Sequence, residues 1–301
     1  MTRWRTLLLA VVAFVAATSA ARAAETLYAA SVSGYNAGST EVGAGILYTI
    51  DPSTAAATRV APIRADGKDA LGITGLAFHP VSGVLYGITA GLSPNIPHSL
   101  VTVDVKTGNA KVIGALSVVG SDISFDPDGK LYMWIPSLSQ MGEINLQTGA
   151  IIRMIGKAGN AVATGGLSID TRGEVMIVGS GNTPRIDTLD SATGEITRGP
   201  PLANAPYAAI NSLTFSPRGI LYAVNSNMGA PASTRLVSID RKTGEVHNIG
   251  ALPPDTDALA FRPPSAAPLT PDFNWTPILI ALGVIITLVT IVFTTVRPRQ
   301  P

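Results

Sequence analysis

At 301 residues with no cysteine, the chain can form no disulfide, carries no thiol nucleophile and offers no cysteine for a lipid anchor. Its formal charge of +1 conceals an acidic body. Setting aside the arginines at 3, 5, 22, 297 and 299 leaves 16 basic against 20 acidic residues, a balance of −4 with no basic patch of the kind that binds nucleic acid. A charged fraction of 14% and 30 glycines suit many short strands joined by tight turns.

The chain begins with Arg3 and Arg5, an apolar run from Leu7 to Ala17, and small residues ending Ala21-Arg22-Ala23. This three-part pattern predicts a secretory signal peptide over residues 1–23, cleaved after Ala23.

From Leu27 to Pro263 one phrase recurs: an apolar strand, a tight turn, Leu-Tyr, a second strand, then Asp-x-x-Thr-Gly and another strand. Its copies include Leu76–Ile88, Ile123–Ile135, Leu167–Val178 and Leu213–Val224, and a fifth starts at Leu259 and stops before its Leu-Tyr. A period of roughly 40–50 residues with several strands per unit marks a β-propeller. Each unit reads as four strands, A to D. The A–B turns fall at Pro80–Gly83, Pro127–Gly129, Arg172-Gly173 and Pro217–Gly219, where Pro presets φ and Gly supplies a positive φ. The C–D turns begin at Asp51, Asp104, Asn145, Asp190 and Asp240, and the first copy lacks its Gly. The same turn logic covers Asp126-Pro127-Asp128-Gly129, which lacks the later ligands of a calcium loop. Tyr28, Tyr86, Tyr132 and Tyr222 recur at one blade position and are expected to pack between blades.

The segment opens with Leu27-Tyr28, a strand B without its A, and closes with Leu259-Ala260-Phe261, a strand A without its B. Joined, they complete one blade and leave no open sheet edge. The expected fold is therefore all-β, a five-bladed propeller over residues 24–263 closed by its terminal strands, with one C-terminal transmembrane helix. A sixth blade would have to hide in Gly199–Ile210, which is too short for one.

The longer connections, Gly34–Gly45, Arg64–Gly72, Ala90–Ser99, Gly199–Ile210 and Asn225–Thr234, collect at the end where each strand A begins. Loops on a rigid scaffold are common binding sites. Just before each strand A stand Thr74, Ser121, Gly165, Asn211 and Asp257, and one step inward Gly75, Asp122, Gly166, Ser212 and Ala258. Thr74, Ser121, Asp122, Asn211 and Asp257 are the candidate ligand-binding set at this channel mouth. Asp122, Asn211 and Asp257 are the candidate ligands for a Ca²⁺ ion, which takes six to eight oxygens. The competing reading has these groups capping strand ends and holding channel water. Histidine gives little support for catalysis. His79 sits in a turn, His247 on an outer strand, and His98 has no acid or base neighbour in sequence.

Past the repeats, residues 264–274 form a Pro-rich linker that reaches ~35 Å at ~3.1 Å per residue. Trp275 to Val296 is free of charge and, as a helix, spans ~33 Å, enough for a hydrocarbon layer of about 30 Å. Arg297 and Arg299 follow, so the positive-inside rule predicts a cytoplasmic tail over 297–301 and a propeller in the periplasm or extracellular space. The expected location is the inner (cytoplasmic) membrane, single-pass, with the A–B turns toward the bilayer. A processed sorting signal is the other reading of this tail, and no recognised cleavage motif precedes Trp275.

The units F-D-P-D-G-K-L-Y at Phe125–Tyr132 and L-V-S-I-D-R-K-T-G at Leu236–Gly244 resemble the NHL/YVTN-type group of exported bacterial propeller repeat proteins. They also look like an uncharacterised family of secreted propellers rich in L-Y-x-I-D-x-x-T-G units. The resemblance implies fold and leaves function open, since that group spans scaffolds, binding proteins and a few metal-dependent lactonases or oxidoreductases. None of their catalytic signatures matches here, which weighs against an enzyme. The expected function is a membrane-anchored binding or scaffold module for a protein, peptide or glycan. The alternative is a Ca²⁺-dependent hydrolase or lactonase at the channel mouth.

Overall fold

A computed structural model describes residues 25–32, 45–65, 71–91, 93, 95–157, 165–179 and 183–264. The expected signal peptide, the transmembrane span, the basic tail and the linker beyond Pro264 lie outside these residues, as does most of Gly34–Gly45. No helix occurs among the described residues.

The strands follow the repeat. Blade 1 pairs β1 (Leu27–Ser31), β2 (Ile46–Ile50) and β3 (Ala57–Pro62) with β21 (Thr256–Phe261) from the far end of the chain. A short β4 (Arg64–Ala65) then joins the outer edge of blade 2, formed by β5 (Ile73–Phe78), β6 (Leu85–Thr89), β7 (Ser99–Val103) and β8 (Asn109–Ala115). Blade 3 comprises β9 (Asp122–Phe125), β10 (Leu131–Ile135), β11 (Gln140–Ile144) and β12 (Ile151–Ile155). Blade 4 comprises β13 (Gly165–Ile169), β14 (Val175–Gly179), β15 (Ile186–Leu189) and β16 (Ile196–Thr197). Blade 5 comprises β17 (Ala209–Phe215), β18 (Leu221–Ser226), β19 (Thr234–Ile239) and β20 (Val246–Ala251). Five blades form, and Gly199–Ile210 adds no further blade: it makes isolated bridges, Arg185 to Pro201 and Ala203 to Glu245, and its last two residues begin β17. The parallel pairing of β4 with β8 had no signal in the repeat.

Closure runs as the terminal strands predict. Leu27 pairs with Phe261, Tyr28 with Ala260, Ala29 with Leu259 and Ala30 with Ala258. The ladder continues outward through Arg262 N–H to the Thr26 carbonyl at 2.9 Å and Val32 N–H to the Asp255 carbonyl at 2.8 Å.

Because strand faces meet between blades, the apolar core forms as five slabs. Tyr28 and Leu47 of blade 1 share a cluster with Leu76 and Phe78 of blade 2, and four further clusters repeat this around the ring. The recurrent tyrosine packs where expected. Tyr28 meets Phe78 at 5.4 Å, Tyr86 meets Phe125 at 5.3 Å and Tyr222 meets Phe261 at 5.2 Å, each pair joining strand B of one blade to strand A of the next. Such pairs add about 0.5–1.5 kcal/mol beyond area burial.

The C–D turns have a second role. Their Asp or Asn side chain accepts local N–H bonds, as from Lys106 and Thr107 to Asp104 at 2.9 and 2.8 Å. Those backbone bonds hold the Asp104, Asp190 and Asp240 carboxyls below their usual range. The turn glycine also abuts the end of strand D in the preceding blade: Gly108 against Pro62, Gly149 against Gly114, Gly194 against Gly156, Gly244 against Pro201. In blade 1 the turn carries Ala55 at φ 62°, and the glycine moves to the partner, Gly250 of blade 5. The outer rim is thus latched five times by glycine.

Gly114 isolates this contact, because its φ is not in the left-handed region and an added Cβ would lie 2.0 Å from the Thr148 carbonyl oxygen. We expect Gly114→Ala to lower stability by about 1–3 kcal/mol through overpacking. Gly173→Ala, whose Cβ would meet nothing within 4 Å at φ +82°, should cost about 1 kcal/mol from backbone strain alone. Urea unfolding of both variants checks the ranking.

Candidate functional site

Each inner strand presents one backbone edge to the central axis, where it has no ladder partner within its own sheet. Side-chain oxygens of the preceding blade supply acceptors. Ser124 Oγ accepts the Ile169 N–H at 3.0 Å, Ser212 Oγ the Leu259 N–H at 3.1 Å and Thr214 Oγ1 the Phe261 N–H at 3.4 Å.

Asp122 extends this scheme across the axis. Its Oδ2 accepts from Leu167 N–H at 3.0 Å in blade 4 and from Leu213 N–H at 2.9 Å in blade 5. Its Oδ1 accepts from its neighbour Ile123 N–H at 3.0 Å and from the Ser212 hydroxyl at 3.3 Å. Through Ser212 the chain reaches Leu259 of blade 1. Blade 2 approaches by lacking a side chain, since a Cβ on Gly75 would lie 2.9 Å from the Asp122 Cα. Gly166 is fitted likewise, 2.9 Å from the Leu213 nitrogen. Blades 3, 4 and 5 thus bond directly to one fully buried carboxyl, blade 1 is reached through Ser212, and blade 2 packs on the Asp122 backbone. Burial pushes that carboxyl well above its usual range, and the donors pull against it.

One residue outward, three of the five ring positions are β-bulges. The register passes from Ile73 to Gly75, from Ile210 to Ser212 and from Ala258 to Thr256, skipping Thr74, Asn211 and Asp257. A bulge re-aims a side chain and recurs beside functional sites. The Asn211 amide nitrogen donates to Asp257 Oδ1. Asn211 Oδ1 and Thr74 Oγ1 are buried with no hydrogen-bond partner, as is Trp134 Nε1, which faces Gly165. The fifth ring residue, Ser121, donates to the Gly165 carbonyl at 2.6 Å. Asp257 is partly buried, and the desolvation this brings lifts its carboxyl pKa to about 7. The Asn211 amide opposes that rise and the nearby Asp255 adds to it.

The structure thus joins Asn211 and Asp257 side by side, with Asp122 one level deeper and its oxygens taken by donors. Among the described residues no group of three or more His, Cys, Asp or Glu is arranged to hold a metal ion. His79 serves its turn, its Nδ1 accepting from Val81 and Ser82 N–H at 3.2 and 3.3 Å. Asn225, read from sequence as the start of a loop, lies instead within β18 and is fully buried. Its side chain pins the entry to β17 of its own blade by bonding Tyr207 N–H, Tyr207 O and Ala209 O, each at 2.8 Å. Nothing in the repeat marked that role.

A concavity of about 410 Å³ lies at the opposite end, between the A–B turns of blades 3 and 4, lined by Asp126, Asp128, Tyr132, Thr171 and Arg172. Its cation is committed: Arg172 pairs with Asp170 at 2.8 Å and Glu174 at 3.1 Å, and Arg241 of blade 5 joins the same two carboxylates at 3.3 and 2.9 Å. That network fastens one blade to the next. The channel mouth is the better candidate because its polar atoms lack partners.

No protein-family model matches the sequence, and no curated protein does. Among solved structures, a chain of a nidogen/laminin complex is 13% identical with a TM-score of 0.52, covering 81% of this chain and 100% of that one. The likeness is one of fold. Hydrazine synthase of Kuenenia stuttgartiensis is 24% identical with a TM-score of 0.39, over 61% of this chain and 50% of that one. A structural-genomics protein of unknown function from Bacteroides thetaiotaomicron is 18% identical with a TM-score of 0.43, over 59% and 50%. This chain is a β-propeller repeat protein.

Asp122→Ala would strip acceptors from the buried N–H groups of Leu167 and Leu213, at about 1–3 kcal/mol each. We expect a loss of about 3–5 kcal/mol by chemical denaturation, and a loss below 1 kcal/mol would refute the hub. For Asp257 the raised folded pKa favours the protonated form. Its contribution to stability is full below the unfolded carboxylate value and is lost as pH rises through about 7. Asp257→Asn should therefore flatten the pH dependence between about pH 4 and 8 and gain on the order of 1–2 kcal/mol over the parent at the upper end. Urea midpoints measured across that range in both proteins provide the check.

Proposed function

We propose that this chain is an extracytoplasmic binding or scaffold module that engages a protein, peptide or glycan through its loop-bearing end and is held to the cytoplasmic membrane by one helix over residues 275–296. The observation that carries the binding face is the unequal chemistry of the two ends. At the A–B end the connections are tight turns, their polar groups are used locally, and the propeller's two chain ends meet at Thr26 and Arg262. At the other end, where the repeat places the longer loops, the bulged residues Thr74 and Asn211 carry polar atoms that lack partners. A rigid scaffold presenting such a ring is a ready recognition surface.

The membrane tether is supported by the uncharged stretch Trp275–Val296 and the arginines that follow it. A Ca²⁺-dependent hydrolase working through Asp122, Asn211 and Asp257 would have to take Asp122 from the N–H groups of Leu167 and Leu213. The binding reading needs no such rearrangement.

Photo-crosslinkers at two exposed positions test the face. Met228, 56% exposed, stands in the β18–β19 loop, and Val81, 82% exposed, stands in a tight turn at the other end. A crosslinker at Met228 should capture a discrete partner in native membranes while one at Val81 captures none. The reverse pattern would place the binding face at the wrong end.

A further inference from the structure

We propose that the loop-bearing mouth of the channel is a binding site for an alkylammonium group, seated on Asp257 between Asn211 and Thr74. The inference rests on reading this end of the propeller as its binding face, and names the chemistry that face recognises.

The geometry begins with the bulges. Blades 5, 1 and 2 are consecutive around the ring, and each breaks its innermost ladder at the same level to project Asn211, Asp257 and Thr74. Blade 4 runs through that level in unbroken register, pairing Gly165 with Gly179 and Gly166 with Val178. The three bulges therefore occupy one arc of the mouth, and that arc carries three of the four oxygen-bearing ring side chains; the fourth, Ser121, donates to the Gly165 carbonyl.

To a donor these side chains offer three acceptors. One N–H of the Asn211 amide goes to Asp257 Oδ1, and its buried Oδ1 accepts nothing. Thr74 Oγ1 is buried and unpartnered. Asp257 Oδ2 has no hydrogen bond among the described residues, and no cation forms a salt bridge with this carboxylate there. The charged neighbour that acts on Asp257 is Asp255, a second carboxylate that binds the Ala232 N–H at 2.7 Å. Beneath the arc, Asp122 closes the axis with its acceptor capacity filled, so it does not draw a ligand further in.

With Asp257 ionised, three acceptors in an arc, negative overall, match the three N–H donors of an ammonium group, and the cation in turn favours that ionised form. A guanidinium fits less well, because its bidentate fork asks for both carboxylate oxygens and Asn211 already holds one. A hard divalent cation fits less well still, since it seeks six to eight oxygens.

The test uses the full-length protein in cacodylate buffer, which contains no amine and does not precipitate calcium, and n-butylammonium chloride as probe, read by thermal unfolding and calorimetric titration. Sodium, tetramethylammonium and calcium chlorides at matched ionic strength serve as comparisons. We expect a saturable rise in Tm with n-butylammonium, none with tetramethylammonium, which has charge but no donors, and at least tenfold weaker binding in Asp257→Asn. That variant is expected to fold, so its failure to bind reads the site. N-acetyl-lysine methylamide and glycinamide carry the ammonium on a side chain and on a chain terminus, and the tighter of the two identifies the carrier. No saturable response to n-butylammonium, an equal response in Asp257→Asn, an equal response to tetramethylammonium, or a response to calcium alone would each overturn the site. If the amine fails while Met228 still crosslinks a partner, the ammonium site falls and the binding-module reading stands.

Discussion

Five strands that run side by side around an axis leave five rows of backbone groups facing inward, and no ladder exists to satisfy them. A buried N–H without an acceptor costs about 1–3 kcal/mol, so the middle of this molecule is a problem of acceptors before it is one of packing. The chain solves it with short hydroxyl side chains between neighbouring blades and a single carboxyl that reaches two blades beyond its own. Asp122 can do this only because its counterparts are Gly75, Gly166 and Ala258, which let the strands come close enough for one side chain to span them. Hydroxyls alone would serve adjacent blades but would not tie blade 3 to blade 5.

The rim follows the opposite rule. There the strands have diverged, and the blades are joined by backbone pressed on backbone at glycine. The Asp-x-x-Thr-Gly phrase serves both levels: its carboxylate organises the turn from within, and its glycine lets the turn lean on the blade before it. Between hub and rim lie the apolar slabs and their aromatic pairs. Position is thereby set at three radii by three kinds of interaction, which is what allows a loop or a bulge at one end to be held in a fixed place.

Much of this was readable in the repeat. Strand A, the tight turn and Leu-Tyr alternate with a clear period, and the unpaired Leu27-Tyr28 and Leu259–Phe261 required each other. The tyrosines sat at one blade position and met the phenylalanines of the next. What the sequence concealed were relations between blades, because periodicity describes one blade at a time. The hub left a faint trace, in that Asp122 is the one large side chain in a column of Gly, Ser and Ala. The latch left a better one in the repeated Ile-Gly pairs at Ile113-Gly114, Ile155-Gly156 and Ile249-Gly250. The bulges at Thr74, Asn211 and Asp257 left none, since a skipped residue looks like any other until its partner strand is in place. Asp122, Asn211 and Asp257 were grouped from sequence as candidate ligands for one ion although Asp122 was read one ring further in, and the backbone N–H bonds that fill its oxygens are what separate it from the outer pair.

The blade shared by the two ends of the propeller also has a consequence in time. While the polypeptide is being made, β1 has β2 along one side and bare backbone along the other, an edge of the sort that recruits stray strands. Its rightful neighbour, β21, is the last of the described strands to emerge, and contacts so distant in sequence form slowly. Completion of the circle is therefore a test of integrity. A polypeptide truncated anywhere before Thr256 retains a raw sheet edge that chaperones and proteases can recognise, whereas the full-length chain conceals it with its final six residues of strand.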